Sequence, residues 1–280
     1  MNRRNFKEKK RFSLITYFII FLILLNIFIF LLNYFALDFS SSELDILAMQ
    51  DINFEDKSYI EAKEIKEKYG IDIIYDNNVS NFAFKVDATI QKNLEIIYNN
   101  IVEIKKTLSK YPDAFFIDNN LTIIILDEFN NNNIALASRN KLNEFKIYIS
   151  NNDTYERSLH HELFHIFEYK ININSKNEFA NWNNLNPSDF VYEKNIDKLN
   201  NKYVYEKYIN DDEIYFVTKY SKVSEKEDRA EIFAEIMTFK NKPTFLNSGT
   251  KINKKATNII DIMNYKLNNN VNNLLYWNRF

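Results

Sequence analysis

The segment from Leu14 to Leu37 carries no charged residue, and this one feature divides the chain before anything else is read. As a helix, its 24 residues span about 36 Å at about 1.5 Å per residue, enough to cross a bilayer with room for tilt. Arg3, Arg4, Lys7, Lys9, Lys10 and Arg11 precede it, and Asp38, Glu43, Asp45, Asp51, Glu55 and Asp56 follow before the first basic residue, Lys57. By the positive-inside rule the N-terminus stays cytoplasmic and the rest of the chain is exported. A cleaved signal peptide usually has a shorter apolar region ending at a small-residue site, so an uncleaved anchor is expected. The layout read from this is a cytoplasmic basic tail at 1–13, a transmembrane signal-anchor helix at 14–37, a linker at 38–57 and one exported domain at 58–280.

Composition narrows what the exported part can do. A net charge of −2, with basic residues scattered along the body, offers no stripe for a phosphate backbone, so nucleic acid is not expected as a partner. The absence of cysteine excludes disulfides, thiolate metal sites and cysteine nucleophiles. Any metal must then sit on His, Asp or Glu. With two glycines and three prolines in the chain, loops are marked instead by Asn-rich stretches such as 130–133 and 268–270.

Between those loops the pattern predicts a helix over Ser58 to Tyr69 ended by Gly70, and a strand over Ile71 to Tyr75. A long helix over Ala88 to Tyr111 follows, because Ile90, Leu94, Ile97, Ile101, Ile104 and Leu108 recur at three- and four-residue steps. Leu121 to Leu126, Ile134 to Ser138 and Phe145 to Ile149 read as strands. A helix then runs from Asp153, which can cap, to about Lys170. Its apolar stripe of Leu159, Leu163, Ile166 and Phe167 faces inward, while Ser158, His161, Glu162, His165 and Tyr169 share another face. The fold class expected is α+β, with a small mixed sheet packed on this helix and a helical C-terminal part.

That second face carries His161-Glu162-Leu163-Phe164-His165, an HExxH sequence. Residues four apart stack one turn above the other, so both imidazoles can hold one zinc ion, with Glu162 beside it as general base. Three histidines and 21 glutamates placed at random would give this pattern roughly 0.002 times per chain. All three histidines fall within six positions, and the remaining one, His160, has Phe164 four residues on and is expected to be a packed or solvent-facing residue. A catalytic zinc needs a third protein ligand, which must here be a carboxylate from a later helix. The segment from Ser224 to Glu235 offers Glu227, Glu231 and Glu235 at one-turn steps behind a Ser224 cap.

On these two helices the chain resembles the gluzincin group of zinc peptidases. There the second helix often reads Glu-x-x-Ala-Glu, the first Glu binding zinc and the second supporting the site. Both Glu227 to Glu231 and Glu231 to Glu235 fit that phrase. In the branch that resembles the anthrax lethal factor catalytic domain and the Pro-Pro endopeptidases, a tyrosine lies seven residues before the ligand, and Tyr220 is seven before Glu227. The resemblance implies His161, His165 and Glu227 as metal ligands, Glu162 and Tyr220 as catalytic residues, and Glu231 as a support. In the alternative register Glu231 is the ligand and Glu235 its support. A zincin-like fold behind the membrane anchor and zinc-dependent cleavage of a peptide or protein substrate are implied with them. Residues 172–219 depart from the family as a long insertion, read either as a shaper of the cleft or as an aromatic-rich packed loop; Asp228 and Arg229 are expected to form surface or intrahelix ion pairs. Two other function classes stay open: a non-catalytic zinc-stabilised binding or adhesion module, and a zinc hydrolase acting on a non-peptide bond.

Overall fold

The computed structural model describes residues 53–75, 88–113, 115–116, 120–129, 134–140, 143–151, 155–174, 178–205, 210–267 and 275–279. The expected anchor at 14–37 and the Asp153 cap lie outside them, and among the described residues no helix is long and apolar enough to cross a membrane. In chain order the principal elements are α1 (Phe54–Tyr69), β1 (Asp72–Ile74), β2 (Ala88–Thr89), α2 (Leu94–Leu108), β3 (Leu121–Leu126), β4 (Glu128–Phe129), β5 (Ala135–Arg139), β6 (Phe145–Ser150), α3 (Tyr155–Asn174), α4 (Glu225–Thr238) and α5 (Lys251–Leu267). Phe54–Phe280 forms one compact unit.

The main sheet has the order β1-β3-β6-β5. β1, β3 and β6 run parallel, with Ile123 opposite Ile73 on one side and Ile147 on the other. The near-continuous isoleucine and leucine run of the central β3 suits a parallel strand covered on both faces. β5 closes the sheet antiparallel to β6 and leaves its other side as a free edge. This mixed sheet agrees with the expectation, and α3 packs on it through Leu159, Leu163, Ile166 and Phe167, all buried.

α1 ends where expected, at Gly70, whose φ of 72° is left-handed and whose N–H reaches the Lys66 carbonyl at 2.9 Å. It begins at Phe54, four residues before the expected Ser58. The second helix departs further, because it starts at Leu94 and not at Ala88. Asn93 caps it, accepting from the N–H groups of Glu95 and Ile96, and Ala88–Thr89 instead pairs with Glu128–Phe129 as a two-stranded ribbon. Ile90 continued the apolar period in sequence, but it packs against Ile124, Leu126, Phe129 and Tyr148, apart from the cluster that buries Ile97, Ile101 and Ile104. α3 runs to Asn174, four residues beyond the expected end.

Two further expectations are corrected. Asp228 and Arg229 are buried and pair with other elements, not with the surface or with α4 alone. Arg229 bonds Glu168 of α3 at 2.7 Å, with both side chains 4% exposed; its one intrahelix contact, to Glu225, is 3.7 Å. One Asp228 oxygen accepts from the Trp182 indole at 2.9 Å, the Tyr192 hydroxyl at 2.9 Å and the Lys255 ammonium at 2.7 Å. The aromatic part of the insertion is thereby a packed loop tied to α4 and α5. α3 and α4 pack directly on each other, with Phe164 of α3 and Phe233 of α4 both fully buried and their rings 5.1 Å apart.

Candidate metal centre

α3 brings His161 and His165 to one face, and α4 crosses it with its own first two turns. The Nε2 atoms of the two histidines lie 3.1 Å apart, and Glu227 Oε2 is 2.9 Å from the first and 3.3 Å from the second. Zinc holding nitrogen and oxygen ligands at about 2.0 to 2.1 Å in a tetrahedron separates them by roughly 3.3 Å, so this triangle has the size that one ion requires. The chemistry of the set fits too: two imidazoles and one carboxylate, with a fourth side facing the cleft. Among the described residues these three form the group of His, Asp and Glu side chains able to share an ion.

Glu231, one turn further along α4, is placed differently. Its Oε1 meets the other ring nitrogen of His161, Nδ1, at 2.8 Å, and its Oε2 accepts from Arg157 at 2.8 Å and from the Thr218 hydroxyl at 2.7 Å. A carboxylate there fixes the tautomer and the ring plane of the histidine. Glu235 is not at the centre; its nearest charged partner is Arg157, at 3.9 Å. The sequence reading missed both supporting groups: Arg157 stands one turn before His161, a spacing that could have pointed to it, whereas nothing in the sequence signals Thr218.

Glu162 is buried beside the pair, its Oε2 accepting from the Ala137 N–H of β5 at 2.6 Å. Burial raises its pKa above the ordinary carboxylate value, against the pull of His161 and His165. Tyr220 stands at the rim, 42% exposed, with its ring centroid 6.0 Å from that of His161 and its hydroxyl without a hydrogen-bond partner among the described residues. Burial of that phenol, with Glu227, Glu162 and Glu231 nearby, raises its pKa, so it stays a donor at neutral pH. His160 points away into the core, bonded to the Tyr111 hydroxyl at 2.7 Å, and burial holds it neutral.

Two cavities, about 460 and 390 Å³, meet over this centre and share Ala135, His161, Glu162 and Tyr220. β5 forms their common wall. Ser150 N–H bonds the Ile134 carbonyl and Asn140 N–H bonds the Glu144 carbonyl, so the even-numbered residues pair with β6. Ala135, Ala137 and Arg139 therefore turn their backbone groups to the cleft. From the insertion, Ile196 and Thr218 reach the smaller cavity.

No protein-family model matches the chain, and no curated protein does either. The structure is similar to the crystal structure of a Bacteroides caccae protein provisionally described as a zinc-binding metallo-peptidase, with a TM-score of 0.51 at 14% identity over 81% of this chain and 90% of that one. The two chains share a fold. At that identity the likeness speaks for the metallopeptidase fold, and the chemistry rests on the residues above.

Without a metal ion, the cluster is a charge network. Burial works to discharge His161, but Glu227 and Glu231 on its two nitrogens prevail and push its pKa up to about 10, from an ordinary 6.5. Glu227 is held down to about 2 by the two histidines, against burial. The raised group contributes stability fully below pH 6.5 and loses it as pH rises through about 10; the depressed one contributes above its ordinary 4.5 and loses it as pH falls through about 2. A ligand nitrogen must be neutral, so zinc uptake at pH 8 is expected to release about one proton from His161. Titration calorimetry in buffers of different ionisation heat measures this, and a proton count near zero would refute the charged His161.

Proposed function

We propose that this chain is a zinc-dependent endopeptidase of the gluzincin type, anchored in the membrane by residues 14–37 with its catalytic domain outside the cytoplasm. One observation carries the reading: two imidazole nitrogens and a carboxylate oxygen converge at the spacing of a zinc site, with a buried glutamate beside them at an open sheet edge. The fold shared with the Bacteroides caccae protein, itself described as zinc-binding and as a peptidase, supports it.

In this reading His161, His165 and Glu227 hold the metal, and Glu231 orients His161 through Nδ1. Zinc held there would supply a Lewis acid that polarises the scissile carbonyl and lowers the pKa of water. Glu162 takes a proton from the attacking water and returns it to the leaving amine, a role that its raised pKa favours. The protonated Tyr220 hydroxyl donates to the oxygen of the scissile carbonyl, as the resemblance to the lethal factor branch implies. Backbone groups of Ala135 and the carbonyl of Ala137, whose N–H is held by Glu162, extend the sheet onto a substrate strand, which favours an extended peptide over a compact ligand.

The test uses the full-length chain in detergent, which the anchor is expected to place in the membrane fraction. Bound zinc is measured, and cleavage of a mixed peptide library is followed by mass spectrometry. Glu227→Ala is expected to lose stoichiometric zinc. Glu231→Ala should keep it with affinity lower by about 10- to 100-fold, the usual cost of removing an outer carboxylate from a ligating histidine. The reverse order would exchange the two roles. Zinc binding without cleavage of any peptide would favour the binding module and sink the peptidase.

A further inference from the structure

The larger cavity does not end at the metal centre. It continues about two turns of α3 past His165, to Tyr169 and Asn172, where Arg139 from the end of β5 stacks on Tyr169, and Lys226 from the first turn of α4 also lines it. The three carboxylates that line it are already engaged. Glu162 accepts from Ala137 N–H, Glu227 meets both histidines, and Glu168 is buried against Arg229. Among the described residues no carboxylate pairs with Arg139 or with Lys226.

Arg139 is also held in place. Its guanidinium carbon lies 3.9 Å above the centre of the Tyr169 ring, and one nitrogen donates to Asn143 at 3.3 Å. Stacking fixes the plane of the group while leaving most of its five N–H donors unused, and a guanidinium so presented suits a carboxylate better than any neutral group. The stem of Lys226 brings a second positive charge to the same end.

Chain direction decides which part of a substrate meets these charges. The free edge of β5 runs from Ala135 to Arg139, and an added strand pairs most stably antiparallel to it. Its N-terminal part then lies by Arg139, and its C-terminal part lies in the smaller cavity by Ile134 and Ile196.

We infer that the Arg139–Lys226 end of the cleft is a subsite for an acidic side chain, so that the enzyme selects peptides with Asp or Glu two or three residues before the scissile bond. The inference rests on the peptidase reading above. The experiment compares peptides differing only by Glu or Gln at those positions, with the zinc-loaded full-length chain. The Glu peptide is expected to have a kcat/KM about five- to tenfold higher, as two partly exposed ion pairs allow. That ratio should shrink when salt is raised from about 50 mM to about 500 mM, because the charges are not fully buried. In Arg139→Gln/Lys226→Gln the ratio should fall to about one, and in Arg139→Glu/Lys226→Glu a Lys peptide should be preferred over Gln. Equal cleavage of both peptides by the unmodified chain, or a preference that survives in the double Gln variant, overturns the acidic subsite alone. Cleavage of neither peptide, nor of any other, overturns the subsite and the peptidase together.

Discussion

Glu162→Gln is expected to lower kcat by about 10²- to 10⁴-fold, the usual contribution of a positioned general base, while zinc content and fold are retained. The substitution is close to isosteric, and a Gln carbonyl can still accept from Ala137 N–H, which Glu162 Oε2 does at 2.6 Å. What is lost is the exchangeable proton site beside the metal ligands. Its placement argues for a working base: Glu162 is buried in the shared part of the two cavities, and burial raises its pKa above the ordinary carboxylate value. Steady-state kinetics on any cleaved peptide, with metal analysis on the same sample, reads the effect. A variant that turns over at the original rate would remove Glu162 from the reaction and leave the zinc site to be explained as structural.

The second large effect is on stability. Asp228→Ala should lower the free energy of unfolding by about 3 to 5 kcal/mol, because it leaves a buried ammonium without its counter-charge. Lys255 and Asp228 are both fully buried, and burial pushes the Asp228 carboxyl up and the Lys255 ammonium down in pKa even as each opposes the shift of the other. The same Asp228 oxygen also accepts from Trp182 and Tyr192, so its removal unties the insertion from α4 at two points and α5 at a third. Urea unfolding followed by tryptophan fluorescence measures the change. Asp228→Asn combined with Lys255→Met should be less destabilised than Asp228→Ala, since an apolar side chain replaces the stranded charge. A loss below about 1 kcal/mol in Asp228→Ala would mean that Lys255 finds another partner.

The elements readable from the sequence are those whose signal is local. The strands Leu121–Leu126 and Phe145–Ser150 are β-rich apolar runs, α3 is an amphipathic helix, and Ser224 caps α4 by accepting from Glu227 N–H, as its position suggested. The misread elements depend on distant partners. Ala88 and Thr89 form a strand because Phe129 and Glu128 lie opposite them, 39 residues or more further on, and Arg229 finds Glu168 across a helix interface. The insertion was ambiguous for the same reason: Trp182 and Tyr192 are aromatic residues in a loop until Asp228 is placed beneath them.

The candidate metal site divides along the same line. A four-residue step on a helix puts two side chains on one face whatever the rest of the chain does, so His161, Glu162 and His165 followed from the sequence alone. The third carboxylate was named only through the resemblance, where the Tyr220 spacing favours Glu227 and leaves Glu231 as the alternative, because the two repeat the same phrase one turn apart. Only the register in which α4 packs on α3, with Phe233 against Phe164 in the contact, places Glu227 on the Nε2 atoms and Glu231 on Nδ1. Helix geometry is fixed by the backbone, whereas the sliding of one helix against another is fixed by side chains that meet only in the folded protein.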